Sequence, residues 1–213
     1  MPRYDAVLFD VDGTLLHSRP GIEHTFSYAF RQMGLDPAGI DISRYLGPPL
    51  RWSFAQHFTA EADVERAVNL YRERYAEVGM HECAPYAGVK ELLERLYNAG
   101  ILLATATSKP RDVVLPILEE QGLRRYFAIV GGASMDKSVD TKTAVIRKDL
   151  EDPRLDGKRI LMVGDRRDDM QGAADCNLPA AAVLYGYGSR EELEPVTMAP
   201  DPTALGDFIL QPV

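Results

Sequence analysis

The second half of the chain alternates between short apolar runs and segments with helical periodicity. The apolar runs lack polar alternation, and together with an earlier one they cover residues 6–9, 101–104, 126–130, 160–163 and 180–184. Runs of this kind are typical of strands that are covered on both faces, as in a parallel sheet. The alternation of strands with helices therefore predicts an α/β fold with a doubly wound parallel sheet.

The helical segments between these runs have recognisable ends. Residues 89–99 carry apolar side chains at helical spacing and stop before Gly100, a residue type that often ends a helix. A second helix is expected to begin with Pro110 at its first position and to end at Gly122, with a kink at Pro116. Two further helices are expected at residues 143–150 and 170–176.

Residues 16–82 break this rhythm, because they hold helical patterns and no clear strand run. Apolar residues fall on one helical face in 22–33 and again in 64–78, and breaks rich in glycine and proline separate the segments. Such a block between the first strand and the rest of the sheet is expected to be an insertion. We therefore expect a Rossmann-like core domain at residues 1–15 and 83–213 and a small helical domain at 16–82.

The composition indicates which classes of binding partner and which cell compartment to expect. The 213 residues carry a formal net charge of −8, which disfavours nucleic acid polymers and anionic membranes as partners. The two cysteines form no CxxC pair and are expected to be reduced thiols. No stretch approaches the roughly 18 apolar residues of a membrane span. The expectation is a cytoplasmic monomer or homodimer.

Acidic residues follow the predicted strands at the points where parallel α/β sheets bind ligands. The first strand ends at Asp10 and Asp12, and a later strand ends at Asp165. Residues two apart in an extended chain face the same side, so both early acids can share a crevice with the later one. Carboxylates that converge in this way repel unless they share a cation, and such oxygen ligands select Mg²⁺.

This arrangement suits phosphoryl transfer from a small phosphorylated metabolite. A carboxylate in line with a phosphoryl group is a competent nucleophile and forms an aspartyl-phosphate. A second carboxylic acid nearby could protonate the leaving oxygen and later activate water. Thr107, the backbone amide of Ser108 and the Lys142 ammonium are expected to bind the phosphate oxygens.

Four segments resemble motifs of the haloacid-dehalogenase superfamily of phosphatases. "LFDVDGT" at residues 8–14 is similar to the first motif, and Thr107 with the following Ser-Lys-Pro is similar to the second. Lys142 is similar to the third, and "MVGDRRDDMQGA" at 162–173 to the fourth. The set occurs in order at the predicted strand ends and is therefore more specific than any one of its members.

The resemblance implies a role for each acid. Asp10 would be the nucleophile and Asp12 the general acid and base. Asp165 would help to bind Mg²⁺, together with the Asp10 carboxylate and the Asp12 backbone carbonyl. Asp169 matches the second acid of the fourth motif and would reach the ion directly or through water.

The insertion at 16–82 is similar to the small helical cap of the phosphoglycolate phosphatase-like branch. Its "LGPPLRWSF" at 46–54 contains the cap segment "GPPL", which implies that the cap closes over small phosphometabolites and that Arg51 meets the substrate. By contrast, "GASMDKSVDTK" at 132–142 looks more like a group of 5′-nucleotidase-like phosphatases. The expected function is a Mg²⁺-dependent phosphatase of the phosphoglycolate phosphatase type, with a 5′-nucleotidase-like phosphatase as the alternative.

Other functions remain as alternatives. A phosphosugar mutase would share the fold and the phosphoaspartate, whereas a dehalogenase would not need a second acid at Asp12. A non-catalytic phosphoacceptor module would have an aspartate where the middle strand here ends in Thr107 and Ser108. A scaffold protein without activity would be expected to lack at least one of the acids Asp10, Asp12 and Asp165.

Overall fold

The structure is a computed structural model, and it describes residues 2–136 and 138–212. Lys137, in the segment that is similar to 5′-nucleotidase-like phosphatases, lies outside the described residues. The strands are β1 (Ala6–Phe9), β2 (Leu16–His17), β3 (Ala84–Pro85), β4 (Leu102–Pro110), β5 (Ile129–Ala133), β6 (Ile160–Gly164), β7 (Ala180–Val183) and β8 (Thr197–Ala199). The α-helices are α1 (Arg19–Gln32), α2 (Leu50–Ala55), α3 (Glu61–Glu77), α4 (Val89–Asn98), α5 (Arg111–Glu120), α6 (Lys142–Leu150), α7 (Arg167–Asp175), α8 (Arg190–Leu193) and α9 (Pro202–Leu210).

Within the described residues, six strands form a parallel sheet in the order β5-β4-β1-β6-β7-β8. The first strand is central, because Ala6 pairs with Leu102 of β4 on one side and with Ile160 of β6 on the other. All four residues of β1 are fully buried, so the sheet is covered on both faces. This explains why the strands appear in the sequence as unbroken apolar runs.

One face of the sheet packs against α6 and α7. Ala6 and Leu8 of β1 share a buried cluster with Val145 and Ile146 of α6 and with Ala173 of α7. These helices carry polar residues at their N-terminal ends, next to the carboxyl ends of the strands. The packing of the apolar helix faces therefore determines where those polar residues lie.

The chain divides into two compact units. One consists of Met1–His17 and Pro85–Val213 and contains the parallel sheet. The other is Ser18–Ala84 and is helical, with a core of mutually contacting aromatic rings that includes Phe26, Phe30 and Phe54. Sequence patterning placed the corresponding divisions at residues 15–16 and 82–83.

Several predicted element boundaries are wrong by a few residues. Pro110 is the N-cap of α5 and not its first residue, and α5 runs through Pro116 to Glu120. The strand expected at 126–130 begins only at Ile129, because Arg124–Tyr126 forms a 3₁₀ turn. Among the described residues, no helix has the length and apolar character needed to cross a lipid bilayer.

Candidate active site

The first strand brings Asp10 to the carboxyl edge of the sheet. The Asp10 amide donates to the Val163 carbonyl at 2.8 Å, so the pairing of β1 with β6 continues into this residue. The chain then turns, and the Leu15 amide donates to the Val11 carbonyl at 2.9 Å. The turn leaves Asp10 buried and Asp12 half-buried.

Asp165 follows β6 and is completely buried beside that turn. Its Oδ1 accepts from the Thr14 hydroxyl at 3.1 Å, and its Oδ2 accepts from the Tyr187 amide at 2.7 Å. Gly13 lies against the carboxylate, with φ at +86°, and a Cβ added there would be 2.2 Å from Asp165 Oδ2. The glycine is therefore needed both for its backbone conformation and for the close approach.

Asp169 closes the loop that carries Asp165. Its Oδ2 accepts from the amides of Asp165 at 3.1 Å and Arg166 at 3.0 Å. These N–H groups precede the first turn of α7, where the helix dipole also favours a carboxylate. Asp169 is buried, and its other oxygen, Oδ1, lies near Lys142 and not at this loop contact.

Lys142 connects two of the acids. Its Nζ donates to Asp10 Oδ1 at 2.7 Å and to the Ala106 carbonyl at 2.9 Å, and it lies 2.7 Å from Asp169 Oδ1. Burial alone would lower the pKa of Lys142, but the charges of Asp10 and Asp169 outweigh it and raise the pKa above its usual value. The lysine is therefore a buried ammonium shared by two carboxylates.

The end of β4 contributes Thr107, Ser108 and Lys109. Thr107 is buried, and its Oγ1 accepts from the Lys109 amide at 3.2 Å, whereas the Ser108 side chain is exposed. The pairing of β4 with β5 shifts register between Thr107 and Pro110, so the intervening residues form an irregularity at the strand end. Lys109 Nζ donates to Asp12 Oδ1 at 2.7 Å.

The acids fit a divalent cation. One carboxylate oxygen from each of Asp10, Asp165 and Asp169 lies within 4.8 Å of the others, and all three residues are buried. When all three acids are ionised, the Lys142 ammonium balances one of their three formal charges and two remain. Asp169 Oδ1 lies 2.7 Å from that ammonium, which Asp169 shares with Asp10. Buried hard oxygens with uncompensated charge suit Mg²⁺.

Burial and the nearby negative charges raise the pKa values of two of these acids, Asp165 and Asp10. Burial raises the pKa of Asp165, and repulsion from Asp10 and Asp169 raises it further. Burial likewise raises the pKa of Asp10 against the opposing charge of Lys142, and repulsion from Asp169 adds to the rise. Added positive charge at this position would favour the ionised form of both acids.

The structure thus brings together most of the residues selected from the sequence. Asp10, Asp165, Asp169 and Lys142 are in mutual contact or close to it, and Asp12 and Thr107 lie at the same strand ends. Arg51 belongs to the Ser18–Ala84 unit, where its guanidinium contacts the carboxylates of Glu61 and Glu65. Its expected contact with substrate stays a prediction.

Sequence reasoning missed three contacts of this site. Lys109 lies two residues after Thr107, at the end of a predicted strand. That position was the only signal in the sequence for its ion pair with Asp12. Thr14 belongs to the first motif, but its bond to Asp165 crosses 151 positions of sequence. Tyr187 acts through its backbone amide, which no side-chain pattern reveals.

Comparison with known proteins agrees with this geometry. Residues 7–183 match the model of the family described as haloacid dehalogenase-like hydrolase. A Pseudomonas aeruginosa protein named 5′-nucleotidase is 37% identical over 193 residues, which are 90% of this chain and 87% of the relative. An Agrobacterium fabrum protein named phosphoglycolate phosphatase is 30% identical, over 96% of this chain and 91% of its own.

A third relative is named as a kinase and not as a phosphatase. The Mycobacterium tuberculosis protein named tyrosine-protein kinase PtkA is 34% identical over 88% of this chain, which spans 65% of that longer protein. Among solved structures, a predicted phosphatase from Clostridium acetobutylicum superposes with a TM-score of 0.88 at 36% identity, covering 98% of this chain and 99% of its own. The predicted α/β fold is confirmed, and the chain belongs to the haloacid dehalogenase-like hydrolases, as a phosphoric monoester hydrolase.

Proposed function

We propose that this phosphatase depends on Mg²⁺ and hydrolyses a small phosphomonoester through an aspartyl-phosphate on Asp10. The observation that carries the proposal is the buried cluster of Asp10, Asp165 and Asp169, which has more negative charge than Lys142 balances. A dianionic substrate cannot approach such a cluster unless a cation lies between them. Asp10, Asp165 and Asp169 would hold the Mg²⁺, which when bound would neutralise the charge on the phosphoryl oxygens and draw electron density from phosphorus.

In the first step, the Asp10 carboxylate attacks phosphorus and the bond from phosphorus to the ester oxygen breaks. Asp12 gives its proton to that oxygen, so the alcohol leaves in neutral form. Lys142, which donates to Asp10 Oδ1 at 2.7 Å, holds the nucleophile in a fixed orientation. Thr107 and the Ser108 amide would bind phosphoryl oxygens from the end of β4.

In the second step, water attacks the phosphorus of the aspartyl-phosphate and Asp12 accepts the proton. Inorganic phosphate leaves and the Asp10 carboxylate is regenerated. Lys109 Nζ lies 2.7 Å from Asp12 Oδ1, which supports a position for the Asp12 side chain at this strand end; this ion pair would open when Asp12 carries the proton. The two steps thus restore every group to its initial state.

The proposal predicts that the protein hydrolyses p-nitrophenyl phosphate with Mg²⁺ and that EDTA stops the reaction. Asp10→Asn removes the nucleophile and should lower kcat by about 10³-fold or more. Phosphate release with and without added Mg²⁺ is the measurement. Trapping of a phosphorylated protein in the first milliseconds would identify the intermediate directly.

Asp168→Asn is the matched control. Asp168 lies in the first turn of α7, three residues after Asp165, and its side chain is exposed. The substitution removes the same charge as Asp10→Asn. Its activity should stay within about twofold of wild type, since surface substitutions usually have small effects. Full activity of Asp10→Asn would show that the nucleophile is assigned wrongly. Unchanged turnover in EDTA would show that the reaction does not depend on a metal ion.

For the substrate, we propose a small metabolite of the phosphoglycolate type, with nucleoside monophosphates as the second candidate. Relatives named for each reaction align over most of the chain, and the one named 5′-nucleotidase has the higher identity of the two. We further propose that the Ser18–Ala84 unit acts as a cap and that Arg51 contacts substrate. A panel of phosphoglycolate, nucleoside monophosphates and sugar phosphates, ranked by kcat/KM, would separate the candidates.

A further inference from the structure

The segment after β7 forms a clamp on the loop that carries Asp165. We define the clamp as residues 185–192. We propose that Glu192, within the clamp, is a positioning residue that fixes this loop for binding a divalent cation. The inference rests on the proposed Mg²⁺ site and extends it to a residue far from the four motifs.

Glu192 holds the loop through one oxygen. Its Oε1 accepts from the Arg166 side chain, at 2.8 Å from Nε, and from the Arg167 backbone amide, also at 2.8 Å. Both donors belong to residues that directly follow Asp165. The carboxylate therefore fixes the backbone as well as a side chain of the loop, and the contact is half-buried.

Glu192 is itself held in place. Ser189 caps α8, and the Glu192 amide lies 3.3 Å from its Oγ. The next residue, Leu193, is completely buried and anchors the short helix. Burial opposes ionisation of Glu192, but the hydrogen bonds from Arg166 and Arg167 outweigh it and lower its pKa. The clamp is thus built around an ionised carboxylate.

The other end of the clamp touches Asp165 directly. The Tyr187 amide donates to Asp165 Oδ2 at 2.7 Å. The glycines on either side allow this approach, because a Cβ on Gly186 would lie 2.3 Å from Asp165 Cβ and one on Gly188 would lie 2.0 Å from the Asp165 carbonyl oxygen. Residues of the clamp therefore contact the side chain of Asp165, the backbone of Asp165 and the two residues that follow it.

These contacts complement those inside the loop. Asp169 holds the amides of Asp165 and Arg166 from within, and Glu192 holds the residues that follow from outside. Outer-sphere groups that orient a metal ligand commonly change metal affinity by about 10- to 100-fold when removed. Removing Glu192 should therefore weaken Mg²⁺ binding while the ligands themselves remain.

The test compares wild type with Glu192→Ala and Glu192→Gln by calorimetric titration with Mg²⁺ in the absence of substrate. Glu192→Ala should raise the Mg²⁺ dissociation constant by about 10-fold or more. Glu192→Gln keeps an oxygen acceptor and should recover most of the affinity. Saturating Mg²⁺ should restore most of the lost kcat in both variants.

Glu191→Gln is the control, because Glu191 is an exposed neighbour in the same helix and loses the same charge. Its Mg²⁺ affinity should equal that of wild type. If Glu192→Ala and Glu192→Gln both bind Mg²⁺ within twofold of wild type, Glu192 is not a positioning residue. If wild type binds no Mg²⁺, the proposed metal site fails and the positioning role fails with it. Should Glu192→Ala not fold, Glu192→Gln alone decides: a Mg²⁺ dissociation constant raised by between about twofold and 10-fold supports the positioning role, and one within twofold of wild type overturns it.

Discussion

Two buried charged residues of α6 differ in whether groups of opposite charge contact them. Lys142, at the first position, shares its ammonium between Asp10 and Asp169 at 2.7 Å from each. Asp149, near the other end, packs its carboxylate against Gly131 of β5, and its Oδ2 has no hydrogen-bond partner among the described residues. Burial, followed by repulsion from Asp152, raises the pKa of Asp149 to about 7 against the weaker opposing effect of Lys142.

This raised pKa predicts a pH-dependent loss of stability that Asp149→Asn removes. The folded protein holds the proton more tightly than the unfolded chain, so the stabilisation is complete below about pH 4 and is lost as the pH rises through about 7. At pH 8 the variant should be more stable than wild type by roughly 2–4 kcal/mol, because asparagine needs no proton to be neutral. Urea unfolding at pH 4 and pH 8 measures the difference.

Asp156→Asn is the comparison for this experiment, since Asp156 is an exposed acid soon after the same helix. Its stability relative to wild type should not change between the two pH values. A constant difference between Asp149→Asn and wild type across this range would show that Asp149 titrates normally in the folded protein.

At this scale the sequence predicted the acids and Lys142 but not the contacts of Lys109 and Glu192. Asp10 and Asp165 were predictable because each lies at the end of an apolar run, Asp165 after one intervening glycine. The pairing of Lys109 with Asp12 depends on the register shift at the end of β4, and no apolar or polar pattern encodes such a shift. Glu192 lies on a four-residue helix, which is too short to show helical periodicity.

Among the elements, α6 matters most for the site, since it begins at Lys142. Thr141 is its N-cap, and the Thr141 hydroxyl accepts from the Ala144 amide at 3.1 Å. Val145 and Ile146, in the middle of α6, anchor the apolar face of the helix in the buried cluster under the sheet. The cap thus fixes the turn of helix from which the lysine reaches Asp10.

Loss of this cap should weaken both the helix and the site. Thr141→Val keeps the shape but removes the hydroxyl, and it should lower the free energy of unfolding by about 1 kcal/mol. Thr141→Ser retains the acceptor and should stay within a few tenths of wild type. Thermal unfolding measures both, and equal losses in the two variants would mean that the capping bond contributes nothing.

Prediction of elements succeeded where the apolar pattern was long or uniform. Strand β6 is the predicted run at 160–163 with Gly164 added, and helix α4 is one residue shorter than the predicted segment 89–99. Prediction failed at 126–130, where aromatic residues of a 3₁₀ turn extend the apolar run before the strand. The strand β8 and helix α9 were not predicted, because the pattern after residue 184 is short and interrupted by proline.

For the whole molecule, the main feature is that each unit has a core of its own. In the Ser18–Ala84 unit, Phe54 is fully buried, with its ring centroid 5.1 Å from that of Phe26 and 5.4 Å from that of Phe30. The acids of the proposed metal site belong to the unit that contains the sheet. Damage to the aromatic core should therefore be separable from damage to the proposed metal site.

Phe54→Ala tests this separation. Removing the ring should cost about 3–5 kcal/mol of stability, and it should lower turnover of metabolites if the helical unit acts as the proposed cap. Mg²⁺ affinity of the folded protein, measured by calorimetry at low temperature, should stay within twofold of wild type. Phe54→Leu should cost less, because it leaves a smaller cavity. Loss of Mg²⁺ binding in the folded Phe54→Ala protein would show that the two units are energetically dependent.

The central place of β1 in the sheet has a consequence for biosynthesis. Of the six strands of this sheet, β1 leaves the ribosome first, whereas its two neighbours, β4 and β6, begin at residues 102 and 160. Because all four of its residues are apolar, the nascent chain carries an unpaired, aggregation-prone segment until these neighbours have been made. The helical insertion, whose contacts are local, can become compact during that interval. The strand that ends at Asp10, the proposed nucleophile, is thus made before both of the strands that pair with it.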